Sequence, residues 1–289
     1  MKLVTFVYNG QSRIGALQAN DTLIDLNRAN PNLPTDMLAF LAGGADAQNL
    51  AEKALAAAPS AAVLARAAVT LQAPIPRPGK ILCIGLNYRD HAAESNQPLP
   101  EYPTVFAKYN NTIIGPGAAI VLPRLTEKID YEAEFAFVIG RTARNVKAAD
   151  ALDYVAGYLP FNDVSARDYQ MRTSQWTVGK TFDSFGPMGP ALVTADEIAN
   201  PHDLDIQLTI NGEVLQSSNT SNLIFSVNDL IADLTSFMTL EPGDVISTGT
   251  PSGVGAARKP QRWLRAGDVV RIEIEGLGAL ENPVVAERR

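Results

Sequence analysis

Two glutamates, Glu132 and Glu134, lie two residues apart in an apolar segment of this chain. The segment Tyr131–Ile139 is rich in apolar residues, which predicts a β-strand, and on a strand residues i and i+2 share a face. Both faces of this strand are largely apolar, which indicates that both are covered. Two carboxylates on a covered face repel each other and lose hydration, so they stay ionised only beside a cation or strong donors. A hard divalent metal is the simplest such cation; a solvated strand end is the alternative.

A second segment has the same spacing without the same implication. Arg271, Glu273 and Glu275 also alternate with apolar residues. Their face is charged along its whole length and mixed in sign, so exposure to solvent explains it. Spacing alone therefore does not predict a site. The apolar continuation beyond Glu134 is the informative observation, since covered acids tend to be functional.

Asp163 is a candidate third ligand, because it lies where an aromatic strand gives way to a polar turn. An ordinary turn aspartate or a helix cap is the alternative interpretation. Three carboxylates with open positions for water suit Mg²⁺ or Mn²⁺.

Three further side chains are candidates for catalysis. Lys180 is the lone cation of a Gly- and aromatic-rich loop, where it is either solvated or a point charge for a developing oxyanion. His91 and Glu94 have the i, i+3 spacing of one helical turn. A carboxylate beside an imidazole fixes its tautomer, as a water-activating base requires. A surface histidine on a polar loop is the alternative.

Several other chemistries are excluded. With His91, His202 and one cysteine, the chain has too few N and S ligands for a structural zinc site. It contains neither His-Glu-x-x-His nor the Gly-x-Ser-x-Gly nucleophile elbow. Gly249–Gly255 lacks the Lys-Ser/Thr of a phosphate loop, and Gly115–Ile120 lacks the third glycine of a dinucleotide fingerprint. The sequence therefore argues against nucleotide cofactors.

The composition describes an ordinary globular protein of 289 residues with a net charge of −7. This charge argues against a nucleic-acid partner. Cys83 lies in an apolar strand segment and is expected to be a core residue. Because neither a signal peptide nor a membrane-spanning run is recognisable, the expected location is the cytoplasm and no membrane partner is predicted.

The chain divides into two predicted units, residues 1–72 and 73–289. The first opens with a hairpin around Asn9-Gly10, and alanine-rich helical sequence follows from Pro34 to Ala67 with a break near Gly43-Gly44. A proline-rich linker ends this small α+β unit.

The second unit has short predicted strands, Gly- and Pro-rich turns and one clear helix over residues 226–238 that Ser226 can cap. This pattern predicts a mostly β, α+β fold such as a roll or sandwich. The predicted strands are Ile81–Ile84, Pro103–Lys108, Ala119–Leu122, Tyr131–Ile139, Tyr154–Phe161, Gly189–Val193, Asp205–Ile210, Val245–Thr248 and Val269–Glu275.

From about Lys80 onward the chain resembles the fumarylacetoacetate hydrolase family, and the order and number of matching segments make the resemblance specific. The matching segments are Gly85-Leu86-Asn87-Tyr88-x-x-His91, Asp130–Glu134, Asn162–Asp168 with Gln170, Gly179-Lys180-x-Phe182-Asp183, Asn211-Gly212-Glu213, Leu240–Gly255 and Ile274–Gly278.

This resemblance implies a mixed β-sandwich roll of the family's C-terminal type, preceded by a small N-terminal domain. It also implies a homodimer and a catalytic metal held by Glu132, Glu134 and Asp163. The implied ion is Mg²⁺ or Mn²⁺, with Ca²⁺ as a crystallisation substitute.

The resemblance further implies that His91 and Glu94 form the acid–base dyad of a lid and that Lys180 lies beside the metal. The implied substrate-binding residues are Arg167, Gln170 and Thr250. The lid beyond Ser95 is variable in such proteins, so the resemblance does not fix the substrate.

The leading functional hypothesis is a metal-dependent hydrolase that cleaves a C–C bond in an acylpyruvate or 2,4-diketo acid, with a pyruvate enolate as leaving group. Such a reaction belongs to aromatic-acid or sugar-acid catabolism. Three other uses of the site stay open: oxaloacetate decarboxylation, isomerisation or hydration of a 2-hydroxydienoate, and dehydration of a 2-keto-3-deoxy sugar acid. A non-enzymatic protein with a structural Ca²⁺ or Mg²⁺ is the alternative from a different class.

Overall fold

The computed structural model describes residues 1–288. The strands are β1 (Lys2–Tyr8), β2 (Gln11–Leu17), β3 (Thr22–Asp25), β4 (Val63–Ala65), β5 (Thr70–Leu71), β6 (Ile81–Gly85), β7 (Thr104–Ala107), β8 (Ile113–Ile114), β9 (Ile120–Leu122), β10 (Ile129–Asp130), β11 (Ala133–Ile139), β12 (Val155–Asn162), β13 (Ser165–Ala166), β14 (Gly186–Pro187), β15 (Leu192–Thr194), β16 (Asp205–Ile210), β17 (Glu213–Asn219), β18 (Val245–Ser247), β19 (Val269–Ile274) and β20 (Gly278–Ala286). The α-helices are α1 (Leu26–Ala29), α2 (Met37–Ala42), α3 (Gly44–Ala56), α4 (Arg89–Glu94), α5 (Arg167–Gln170), α6 (Thr177–Lys180) and α7 (Val227–Phe237).

Two sheets organise the molecule. The larger has the order β4-β3-β2-β1-β15-β12-β11-β18-β6-β7, with β5 paired to β1, and the smaller has the order β17-β16-β19-β20-β9. Both are mixed, because β18 runs parallel to β6 and β20 runs parallel to β9. Strands β11 and β12 pack against β16, β19 and β20, so the sheets face each other. The predicted α+β sandwich roll is confirmed.

Strand β11 is buried on both faces, as its sequence predicts. Phe135, Phe137 and Ile139 pack into the core between the sheets. Ala136 and Val138 pack on the opposite face, against the first residues of the chain. A strand covered on both sides cannot shift its register without exposing one apolar set, so the glutamates at its start are held at fixed positions.

The other predicted strands are also present, with bounds that differ by a few residues. The predicted hairpin turn at Asn9-Gly10 is confirmed, and a second hairpin turn lies at Asn211-Gly212 between β16 and β17. All four residues have the positive φ that a type I′ turn requires. Helix α7 begins with a capping box between Ser226 and Asp229.

The predicted helical stretch Pro34–Ala67 is wrong beyond Ala56. There the chain passes Pro59 and forms a 3₁₀ turn and strand β4, whose Leu64 pairs with Leu23 of β3. Alanine favours a helix locally, but proline and pairing with an existing sheet edge outweigh that preference.

The first 72 residues extend the larger sheet, because Lys2 and Leu3 of β1 pair with Val193 and Leu192 of β15. The division at residue 72 stays a prediction. Within residues 1–288, no helix combines the length and apolarity needed to cross a membrane.

Candidate active site

A hairpin brings the three predicted metal ligands together. Glu134 lies in β11, Glu132 directly precedes that strand, and Asp163 directly follows β12. Antiparallel pairing of the two strands sets Ala133 opposite Asn162, and the Asp163 amide donates to the Glu132 carbonyl at 3.0 Å. All three side chains are buried, and each offers an oxygen within 4.8 Å of the others. Clustered carboxylate oxygens are the donor set that hard divalent cations prefer, so the triad is a candidate site for a divalent cation.

Two buried lysines accompany the carboxylates. The Lys180 Nζ atom donates to Glu132 Oε2 and to Asp163 Oδ2, both at 2.7 Å. The Lys108 Nζ atom donates to Asp163 Oδ1 at 2.5 Å and to the Val164 carbonyl at 3.1 Å. Lys108 was not predicted as a site residue; the available signal was a lysine at the end of an apolar strand. Asp163 is thus neutralised from two sides.

Arg167 adds a third cation at the start of α5. Its Nε atom donates to Asp130 Oδ2 at 2.7 Å, and its Nη1 atom lies 2.7 Å from Glu132 Oε1. Nη1 also donates to Gln170 Oε1 at 3.0 Å. Arg167 and Gln170 therefore border the carboxylates.

Glu134 has a different environment, because its partners are neutral. Its Oε2 atom accepts from Ser247 Oγ at 2.5 Å and from the Gly249 amide at 3.1 Å. Gly249 has φ +97°, and a Cβ there would lie 2.8 Å from the Ile84 carbonyl oxygen. Glycine is therefore required where this amide reaches the carboxylate.

These environments shift the pKa values of the two glutamates in opposite directions. Burial raises the pKa of Glu132, but Lys180 and Arg167 outweigh burial and lower it to about 2. Burial, followed by the charges of Asp163 and Glu132, raises the pKa of Glu134 well above its usual range. Burial also opposes the charge of Lys180, yet Asp163 and Glu132 raise its pKa. Lys180 is therefore a protonated donor.

The predicted acid–base pair, His91 and Glu94, lies on helix α4. His91 Nδ1 lies 3.1 Å from Glu94 Oε2, and Glu94 Oε1 accepts from the Gly253 amide at 2.8 Å. Asp90 of the same helix accepts a hydrogen bond from Ser218 Oγ of β17 at 2.6 Å, which fixes the helix to that strand. Because Glu94 contacts Nδ1, the other ring nitrogen, Nε2, is the one that can exchange a proton with a bound molecule.

A cavity of about 370 Å³ joins these groups. It is lined by His91, Glu132, Glu134, Asp163, Arg167, Gln170, Lys180 and Thr250 together with Ile84, Gly85, Leu86, Ser95, Gln97, Phe106, Met171 and Trp176. Every predicted site residue lines this cavity except Glu94, which contacts His91 Nδ1 from outside it.

One side of the cavity is apolar and was not predicted. The Trp176 ring meets Phe106 edge-on, with ring centroids 5.5 Å apart. A Cβ at Gly85 would lie 2.3 Å from the Trp176 ring, so the tryptophan packs directly on that backbone. The Lys180 Nζ atom lies 5.0 Å from the centre of the Phe106 ring. This apolar side limits the cavity and reduces the exposure of the lysine.

The predicted substrate role of Thr250 stays a prediction. Its hydroxyl donates to the Ala133 carbonyl at 2.9 Å and accepts from Gln216 Nε2 at 2.9 Å. These bonds hold the loop after β18 against the start of β11.

Comparison with known proteins identifies the chain. Residues 80–285 match the family described as fumarylacetoacetate (FAA) hydrolase C-terminal. The chain belongs to the fumarylacetoacetate hydrolase family. The predicted membership is therefore confirmed.

Relatives in the fumarylacetoacetate hydrolase family cover the whole chain. It is 49% identical to oxaloacetate tautomerase fahd2, mitochondrial, from Xenopus laevis, over 99% of this chain and 90% of the relative. A fumarylacetoacetate hydrolase structure from Exiguobacterium antarcticum is 37% identical, with a TM-score of 0.86 over 99% of this chain and 100% of that one. Maleylpyruvate hydrolase from Sphingobium sp. SYK-6, in complex with manganese(II) and pyruvate, is 30% identical, with a TM-score of 0.84 over 100% of both chains.

Two expectations are corrected by these relatives. The relative from Xenopus laevis is named an oxaloacetate tautomerase, which contradicts the predicted C–C bond hydrolase acting on acylpyruvates. The motifs predicted the clustered carboxylates and their neighbours but not how a substrate is bound, so they did not distinguish the reactions. The same name includes the word mitochondrial, which contradicts the expected cytoplasmic location.

Proposed function

We propose that this protein is a metal-dependent oxaloacetate tautomerase, which interconverts the keto and enol forms of oxaloacetate. One observation carries the proposal: a single cavity combines His91 with the carboxylate triad, in a chain 49% identical over nearly its whole length to an oxaloacetate tautomerase. The reaction moves a proton and breaks no carbon–carbon bond, so it needs a base, an oxyanion partner and a carboxylate-binding group.

Glu132, Glu134 and Asp163 would hold the metal, which we propose to be Mg²⁺ or Mn²⁺ because three buried carboxylates form a hard oxygen donor set. When bound, such an ion polarises a carbonyl and orients the substrate. The homodimer that the family implies is also part of the proposal.

His91 is the proposed acid–base group. The proton leaves C3 of oxaloacetate, the C2–C3 bond gains double-bond character, and the C2 oxygen takes up a proton to give the enol. Atoms and charge therefore balance without a water molecule. Glu94 holds Nδ1 of the ring, so Nε2 is the atom that takes and returns the proton.

The cations of the site suit a substrate that carries two carboxylates and develops charge on an oxygen. Lys180 is buried and protonated, so it can stabilise the C2 oxygen but cannot act as the base. Arg167 and Gln170 offer donors for a carboxylate at the edge of the cavity. The apolar side formed by Phe106 and Trp176 bounds the space for a compact substrate.

The test measures keto–enol conversion of oxaloacetate by the ultraviolet absorbance of the enol, with Mg²⁺ or Mn²⁺ and with EDTA. His91→Ala is expected to lower kcat by about 10²–10⁴-fold, the usual contribution of a general acid–base group. His202→Ala is the matched control, because His202 is the other histidine and does not line the cavity.

Pyruvate release is followed in the same samples. Stoichiometric pyruvate formation would instead identify a decarboxylase. A parent protein without metal-dependent conversion, or a His91→Ala variant as fast as the parent, would contradict the proposal.

A further inference from the structure

Three of the five guanidinium N–H groups of Arg167 have protein partners. The Nε–H group donates to Asp130, and the two N–H groups on Nη1 face Glu132 and Gln170. Nη2 is buried and has no hydrogen-bond partner within residues 1–288. Because the guanidinium is planar, these bonds fix the direction of both Nη2 donors.

Asp130 is a fully buried carboxylate outside the metal triad. Its Oδ1 atom accepts from the Gly255 amide at 2.7 Å and the Tyr131 amide at 2.9 Å. Its Oδ2 atom accepts from Arg167 Nε at 2.7 Å and the Ala256 amide at 3.0 Å. The four donors saturate the carboxylate, so Asp130 has no free lone pair for a metal or a substrate.

The backbone that holds Asp130 also holds two other parts of the site. Within the segment 249–256, the Gly249 amide donates to Glu134 and the Gly253 amide donates to Glu94. Gly255 and Ala256 follow with their bonds to Asp130. One stretch of backbone therefore sets the relative positions of a metal ligand, the acid–base pair and the arginine.

We infer that Asp130 is a positioning residue for substrate recognition: it holds the Arg167 guanidinium so that Nη2 supplies the remaining donors for a carboxylate of the substrate. This inference rests on the proposed function, because oxaloacetate carries a second carboxylate that needs a partner. Asp130 itself does not touch the substrate or the metal.

The substitution Asp130→Asn tests this role selectively. An asparagine can keep its oxygen toward the Gly255 and Tyr131 amides, but its NH₂ group then faces the donors Arg167 Nε and the Ala256 amide. Loss of a hydrogen bond to a charged group corresponds to roughly 10–100-fold in affinity, so KM for oxaloacetate is expected to rise about that much. We expect kcat and the dissociation constant for Mn²⁺ to change by less than about threefold.

Asp268→Asn is the matched control. Asp268 is also buried and pairs with an arginine, since Arg262 Nη2 donates to both of its oxygens at 2.9 Å. Arg262 contacts the same backbone segment, because its amide donates to the Gly255 carbonyl at 3.0 Å. Neither residue lines the cavity, so KM is expected to stay unchanged. A KM within twofold of the parent in Asp130→Asn, or an equal rise in both variants, would overturn the inference.

A double-mutant cycle with Arg167→Lys separates positioning from general destabilisation. If Asp130 acts through Arg167, the double variant binds oxaloacetate no more weakly than Arg167→Lys alone; additive losses would refute this. Calorimetric binding of malonate to the Mn²⁺-loaded protein separates the inference from the proposed function. Weaker malonate binding by Asp130→Asn supports positioning even if the parent does not tautomerise oxaloacetate, and unchanged binding contradicts it.

Discussion

Glu132 and Glu134 are two residues apart yet lie in opposite electrostatic surroundings. Glu132 faces the ammonium of Lys180 and the guanidinium of Arg167, whereas Glu134 receives only a hydroxyl and an amide hydrogen bond. The local sequence predicts that both are buried and share a site. It does not predict which one lacks a cation, because the cations come from segments far along the chain.

A pH-dependent stability of the metal-free protein follows from the raised pKa of Glu134. A carboxyl with a higher pKa in the folded state contributes most stability below its unfolded pKa and loses that contribution as pH rises through the folded value. Glu132, with a pKa of about 2, stays ionised throughout this range. The melting temperature without metal should therefore fall as pH rises above about 4.3, the ordinary pKa of a glutamate in the unfolded chain.

Saturating Mn²⁺ should remove or reverse this fall, because metal binding requires the deprotonated carboxylate. Calorimetric melting curves with and without Mn²⁺ provide the measurement, and Glu134→Gln is the control that should flatten the metal-free profile. The same slope in the parent with Mn²⁺, or in Glu134→Gln, would show that another group titrates.

The remaining misses at this scale have a common physical cause. Lys108, Asp130 and Ser247 contact the site residues through tertiary pairing. A buried serine has no distinctive spacing, and a lysine at the end of an apolar strand does not by itself show which carboxylate it will reach. His91 and Glu94 were recognisable because one helical turn brings them together, and the structure places them there.

Among the elements, the loop after β18 has the largest influence on the site. The backbone amides of Gly249, Gly253, Gly255 and Ala256 hold three carboxylates of different segments. The Thr250 hydroxyl holds the Ala133 carbonyl at the start of β11. The motif around Gly249 and Thr250 was visible in the sequence. Its function as a backbone scaffold was not, because an amide donor leaves no trace in the residue type.

Gly249→Ala should weaken the metal site. A Cβ would lie 2.8 Å from the Ile84 carbonyl and 3.0 Å from Asn87 Cβ, so the loop must move and the amide that donates to Glu134 moves with it. We expect a destabilisation of about 1–3 kcal/mol and a loss of about tenfold in Mn²⁺ affinity, corresponding to about 1.4 kcal/mol.

The matched control is Gly267→Ala, where φ is +94° and a Cβ would meet nothing within 4 Å. It carries the same conformational penalty in an open turn and should leave Mn²⁺ affinity unchanged. Calorimetric titration and melting temperatures of both variants decide the matter. If Gly249→Ala bound Mn²⁺ as tightly as Gly267→Ala, the Gly249 amide would not support Glu134.

At the scale of the whole molecule, the N-terminal unit and the catalytic part share one apolar core. Leu3 and Phe40 pack in the same cluster as Ala136, Val138 and Leu159. The proline-rich linker after residue 72 indicated a boundary, but side-by-side strand pairing across it cannot be read from a single sequence. The compact layers themselves were predictable, because the strand patterns fix which faces are apolar.

A protein that begins at residue 73 should therefore be poorly soluble or melt at a clearly lower temperature. Deletion of residues 1–72 would uncover one face of β11 and β12 and leave β15 without its neighbour β1. An exposed apolar face and an exposed strand edge both favour aggregation. Expression yield, melting temperature and oxaloacetate turnover measure the effect. A truncated protein that melts and turns over substrate like the full chain would contradict this.

The two-sided burial of β11 also bears on how this family diversifies. A strand without a free face tolerates few substitutions, so the carboxylates that it positions change little when the rest of the cavity does. The other sides of the cavity come from Ser95 and Gln97 after α4 and from Met171 and Trp176 before α6. Loops of this kind accept change readily. The substrate and even the reaction can therefore change in evolution while the carboxylate cluster stays the same. A shared motif then identifies the carboxylate cluster but not the reaction.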